Sequence, residues 1–75
     1  MEIYYNNNEL YINIDDRINP DLIKKLERKI SHIINNYYIA KVNFTILNDY
    51  NYNKILIDNF ISDLNSKYNS IFIVK

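Results

Sequence analysis

The 75-residue chain contains no cysteine, no glycine and a single proline. Without cysteine it forms neither a disulfide framework nor a cysteine-ligated zinc site, and a cytoplasmic location is expected. Without glycine it cannot build the phosphate-cradling loops of P-loop or dinucleotide-binding proteins, whose tight turns and close backbone approach need a residue lacking Cβ. Apolar runs are only a few residues long, against the ~20 that span a bilayer, and the start MEIYYNNNEL has no basic stretch leading into an apolar one. Neither a membrane span nor a secretion signal is expected. Net charge is missing too: nine basic and nine acidic residues cancel, which removes any global pull toward nucleic acid or anionic lipid.

What is present is unevenly spread. Residues 1–16 carry Glu2, Glu9, Asp15 and Asp16 and no base, whereas residues 17–41 hold six bases against two acids. Ile, Asn, Tyr and Lys are abundant, as expected of an AT-rich genome. The Asn6-Asn7-Asn8 run reads as a turn, because asparagine tolerates positive φ better than other residues with a side chain.

The elements follow from periodicity. EIYY and ELYINI alternate on either side of the Asn turn and predict a β-hairpin, and DDRINPD ends the second strand. Asn19, Pro20 and Asp21 supply an N-cap, a first-turn proline and a first-turn acid. Leu22, Ile23, Leu26, Ile30, Ile33, Ile34 and Tyr37 then recur at spacings of three and four and predict an amphipathic helix. AKVNFTIL alternates Val42, Phe44 and Ile46 with Lys41, Asn43 and Thr45, predicting a strand covered on one side only. Tyr52, Ile55, Leu56, Phe60 and Leu64, flanked by Ile57, Ile61 and Tyr68, predict a second helix capped by Asn51 or Asn53, and IFIVK a last short strand. The expected fold class is α/β: a small two-layer ββαβαβ domain over residues 1–75, with a four-stranded mixed sheet and both helices on one face through right-handed crossovers.

This element order, with ELYINIDDRINPDLIKKLERKISHIINNYYIAKVNFTIL as its body, resembles the STAS domain of bacterial anti-sigma factor antagonists. Residues 9–47 carry the resemblance, and KILIDNFISDLNSKYNSIFIVK extends it more loosely. In that family an Asp-Ser-Ser-Gly type stretch between the third strand and the second helix holds a phosphorylatable serine. The matching stretch here is NDYNYNK; Asn53 stands near the serine's place, and no Ser or Thr lies between Thr45 and Ser62. The resemblance therefore implies a reduced relative without the phosphoryl switch, acting as a regulatory interaction module. Its expected partner is a protein, an anti-sigma-like kinase or another regulator.

No catalytic set can be assembled from these residues. His32 has no second histidine, cysteine or acid at ligand spacing, so no metal site and no triad is expected, and the serines at 31, 62, 66 and 70 have no base-and-acid pattern around them. Asp15 and Asp16 are paired carboxylates without the spaced oxygens of a calcium loop. No enzyme activity and no cofactor are expected. The residues singled out for partner binding are Lys24, Lys25, Arg28 and Lys29 on the polar side of the first helix, with Asp49, Tyr50, Tyr52 and Asn53 in the 48–54 loop. An ordinary solvated helix face uses the same charges. The uncovered sheet face is expected to show Tyr4, Tyr11, Asn13, Asn43, Thr45 and Phe72. It suits a single-stranded nucleic-acid binder through base stacking, although neutral charge makes nucleic acid the less favoured partner, or a second copy in a homodimer or a self-associating viral or phage protein.

Overall fold

The computed structural model describes residues 1–47 and 53–75. In chain order the elements are β1 (Glu2–Asn6), β2 (Glu9–Ile14), α1 (Pro20–Asn36), β3 (Lys41–Ile46), α2 (Lys54–Lys67) and β4 (Ile71–Val74). The expected ββαβαβ order and four-stranded mixed sheet are both present. The strands lie in the order β1-β2-β3-β4, with β1 antiparallel to β2 and the other two pairs parallel.

The hairpin closes on two residues, Asn7 (φ 51) and Asn8 (φ 63). Positive φ at both central positions twists the turn in the sense that matches the twist of the strands. Tyr5 Oη donates to Asn8 Oδ1 at 2.6 Å and steadies the turn from outside. At the start of β1 the Met1 ammonium donates to Asp15 (2.9 Å) and Asp16 (3.2 Å), pinning the first strand to the end of the second. That contact accounts for the two adjacent carboxylates. The hydrogen bond to Asp15 holds the amine above its ordinary range, and the same bond keeps the Asp15 carboxyl below its own.

Alternation places Leu10, Ile12 and Ile14 on the same side as their β3 partners Val42, Phe44 and Ile46, and β4 adds Phe72 opposite Val42 and Val74 opposite Phe44. Both helices cover this side. Leu22, Leu26 and Ile30 of α1 and Ile57, Phe60 and Leu64 of α2 join the strand residues in one buried cluster, with the Phe60 ring edge-on to Phe44 at 6.0 Å. Helix α1 begins as its sequence dictates: Asn19 Oδ1 accepts from Leu22 N–H at 2.9 Å, Pro20 sits in the first turn, and Asp21 adds negative charge where unpaired N–H groups point outward.

Three details differ from expectation. Tyr37 is the residue after α1 and is 66% exposed, so the apolar stripe ends with Ile34. In α2 the buried line is Ile57, Phe60 and Leu64, while Ile55 is 79% exposed, and Asn53 holds the N-cap position without a side-chain capping bond. Phe72 lies in the core and not on the uncovered face, because its partner in the β3–β4 register is Val42. The uncovered face carries Ile71 and Ile73 instead.

Candidate functional site

The two helices run side by side on the sheet, and a groove opens between them. Lys24, Glu27, Arg28 and Ser31 face it from α1, and Lys67 and Tyr68 from the end of α2, enclosing about 330 Å³. Residues 24 and 28 are four apart and stack on one helical face, so they arrive together. Lys67 Nζ donates to Glu27 Oε1 at 2.6 Å and ties the end of α2 to the middle of α1 across 40 residues of sequence. That hydrogen bond raises the Lys67 pKa above its ordinary value and keeps the ammonium charged. Among the described residues Glu27 is the only acid lining the groove and is engaged by Lys67, whereas Lys24 and Arg28 make no ion pair. The groove is therefore cationic.

Lys67 and Tyr68 also line a neighbouring hollow of about 490 Å³, bounded by Tyr37, Tyr38, Ile39, Ser70 and Ile71 among others. Tyr37 and Tyr38 (72% exposed) stand on the loop leaving α1, and Ile71 opens β4. The Ser70 hydroxyl donates to the carbonyl of Ile39 and is buried, which fixes the floor. The two hollows share Lys67 and Tyr68, so a cationic half passes into an aromatic and aliphatic half. Amphipathic rings with exposed hydroxyls beside cations form a surface of the kind protein interfaces favour.

Of the residues singled out from sequence, Lys24, Lys25, Arg28 and Lys29 are all exposed on α1. Only Lys24 and Arg28 turn into the groove; Lys25 and Lys29 extend the charge along the flank. Asn53 caps the start of α2, where its carbonyl accepts from Ile57 N–H. Asp49, Tyr50 and Tyr52 lie outside the described residues. Sequence reading missed Lys67, Tyr37 and Tyr38. The tyrosine pair had a local signal, two adjacent aromatics just past a helix stop, but Lys67 meets Glu27 only once the chain is folded.

The remaining candidates have local explanations. His32 is exposed, with Asn36 Nδ2 donating to its carbonyl at 2.7 Å. Among the described residues no three His, Cys, Asp or Glu side chains gather as metal ligands, and no helix is long and apolar enough to cross a membrane. On the uncovered face Tyr4 and Tyr11 stack on each other, 5.0 Å apart and 8° from parallel, and the Lys75 ammonium sits over the Tyr11 ring at 5.3 Å. Tyr4 approaches from β1 and Lys75 from β4, so both faces of the Tyr11 ring are occupied. A base would have to displace one of them to stack there.

Beneath these groups lies Asn43, 1% exposed although no helix covers it. Its Nδ2 donates to Glu9 Oε1 at 3.0 Å, while its Oδ1 is buried without a hydrogen-bond partner. No family model matches this chain, and neither a curated protein nor a solved structure matches it.

Proposed function

We propose that the chain is a non-catalytic protein-interaction module that holds an acidic segment of a protein partner in the groove between α1 and α2. The observation that carries this reading is the groove's imbalance. Its one carboxylate is bound to Lys67, and Lys24 and Arg28 face the same space without an ion pair among the described residues. An acidic side chain entering there gains charge-assisted hydrogen bonds, and an aromatic or aliphatic neighbour on the same segment meets Tyr37, Tyr38 and Ile71. The same reading includes the 48–54 stretch, of which residues 48–52 lie outside the described residues, as a second part of the docking surface.

The element order and the resemblance of residues 9–47 to anti-sigma factor antagonists support a regulatory role for such docking, with an anti-sigma-like kinase or another regulator as the partner. Asn53 supplies no hydroxyl at the start of α2, so binding in this reading is not switched by phosphoryl transfer there.

The test is titration of the ¹⁵N-labelled protein with a peptide that alternates Asp or Glu with Phe or Leu. Amide shifts should move along residues 24–31 and 67–71, and Arg28→Glu should weaken binding about tenfold or more. Shift changes confined to the sheet face, or equal affinity for the Arg28→Glu variant, reject the proposed surface.

A further inference from the structure

The uncovered sheet face carries charges in an order that matches itself. Strand pairing sets its residues in three rows across β1, β2, β3 and β4. The first row reads Asn6, Glu9, Lys41, Ile71 and the second Tyr4, Tyr11, Asn43, Ile73. The third reads Glu2, Asn13, Thr45, Lys75; Lys75 belongs to it because its N–H donates to Phe44 O at 2.8 Å, continuing the β4 ladder by one residue. Both acids stand on the β1–β2 half and both bases on the β3–β4 half.

We propose that a second copy of this chain covers this face, the two sheets packing front to front about a two-fold axis that runs parallel to the strands between β2 and β3. That rotation lays β1 over β4 and β2 over β3 of the other copy and keeps each row over itself. Glu9 then faces Lys41 of the second copy and Glu2 faces Lys75, and symmetry repeats both pairs. Tyr4 falls on Ile73, an aromatic on an aliphatic side chain. Tyr11 falls over Asn43, which its own chain already buries.

A two-fold axis across the strands instead sets Glu9 over Asn13 and Lys41 over Thr45 and forms none of these ion pairs. Charge complementarity thus selects both the occupant and the orientation.

Area sets the expected strength. Three inter-strand spacings of ~4.8 Å and three rows along the strands, with side-chain margins, give a footprint of roughly 20 by 18 Å. Twice that footprint is roughly 700 Å², below the ~1,000 Å² of a stable specific interface, so association should be weak and transient.

The experiment is sedimentation velocity on the full chain from about 5 µM to 1 mM in 50 mM salt. A monomer–dimer equilibrium that shifts toward monomer in 0.5 M salt is expected. Lys41→Glu and Glu9→Lys should each weaken self-association about tenfold or more, because each turns two pairs repulsive. Mixed together, the two variants should form a heterodimer, since every acid then meets a base. Because Glu9 also accepts from Asn43, the same cycle is run with Glu2→Lys and Lys75→Glu, which stand on the two edge strands; Lys75 leaves the Tyr11 ring to meet Glu2 of the second copy.

A chain monomeric at 1 mM overturns the proposal, as does a dimer indifferent to both cycles. So does a monomer that binds mixed-sequence oligonucleotides through this face. Loss of peptide binding by Arg28→Glu leaves sheet pairing unchanged, so the two readings fail separately.

Discussion

Replacing Asn43 by Asp tests whether a side chain on the uncovered sheet face is truly inside the protein. Asn43 is 1% exposed, and its Nδ2 lies 3.0 Å from Glu9 Oε1. The substitution is nearly isosteric, so packing changes little, but it exchanges a donor for an acceptor and sets two carboxylates together under Tyr11. Desolvation and the neighbouring acid both disfavour the charged form, and such sites raise a carboxyl pKa by several units. A rise of ~2–3 units costs ~3–4 kcal/mol at neutral pH, at ~1.4 kcal/mol per unit. A domain of this size holds only about 4–11 kcal/mol in all, so the loss is a large fraction of it.

The sign is specific. The folded pKa of the introduced carboxyl lies above its unfolded value, so the penalty is absent below about pH 4, grows as pH rises through the folded pKa, and is constant above it. Below that range the protonated group also donates to Glu9 as the amide does. Urea unfolding at pH 7.5 should show a midpoint lower than that of the unsubstituted chain by about 3 M, at an m-value near 1 kcal/mol/M, and at pH 4 most of that gap should close. Thr45→Asp, on the same strand and face but half-buried, should cost about 1 kcal/mol and vary little with pH. An Asn43→Asp penalty that is small at pH 7.5, or equal at both pH values, refutes the burial argument.

Other expectations are local. Leu26→Ala should cost about 2–5 kcal/mol by chemical denaturation because Leu26 has no exposed surface, whereas Ile55→Ala, at 79% exposure, should stay within about 0.5 kcal/mol. At the hairpin, Asn7→Gly should raise Tm by a few degrees and Asn7→Val should lower it, since φ 51 suits glycine and penalises a β-branched residue; equal Tm values contradict the turn. Asn19→Ala should remove about 1 kcal/mol with the lost bond to Leu22 N–H, seen as earlier thermal loss of helical circular dichroism. The Met1 ammonium has a raised pKa, so its hold on Asp15 and Asp16 is complete below its ordinary value of 8.0 and lost as pH rises through the folded value. The Asp15 carboxyl is lowered, so its share is complete above 3.8 and lost as pH falls through its folded pKa. N-terminal acetylation at pH 6 should therefore speed hydrogen exchange in β1 but not in β3.

Helix α1 was legible because Asn19, Pro20, Asp21 and the stripe from Leu22 to Ile34 all argue for the same start and the same face. The face of β2 and β3 was legible for a similar reason, since apolar and polar residues alternate there. The phase of α2 was not. Ile55, Leu56 and Ile57 are contiguous, every rotation buries one of them, and the position of Phe60 against the Phe44 ring decides for Ile57. Strand β4 has the same ambiguity in a shorter space: Ile71, Phe72, Ile73 and Val74 are all apolar, and only register with Val42 assigns Phe72 to the core. Asn43 misled in the opposite direction, because polarity suggested exposure, while its cover comes from Glu9 and Tyr11, more than thirty residues away. The cationic half of the groove was half visible as Lys24 and Arg28; Lys67 and Glu27 become neighbours only through tertiary packing.

The two proposed surfaces lie on opposite layers, which constrains how they work together. Sheets packed front to front sit ~10 Å apart, and each carries a helix layer ~10 Å thick on its outer side, so the grooves of a dimer face away from each other about 40 Å apart. No single short acidic segment bridges that distance. A flexible tether with an r.m.s. reach of ~5–6 Å times the square root of its length needs roughly 50 residues to do so. Avidity is therefore available to a partner that is itself dimeric or carries two acidic segments on a long tether, and is denied to one carrying a single segment. Sheet-face variants that abolish self-association should leave the affinity for a lone acidic peptide unchanged and weaken only the binding of a two-segment partner. Equal loss for both would place the peptide on the sheet face and remove the separation between the layers.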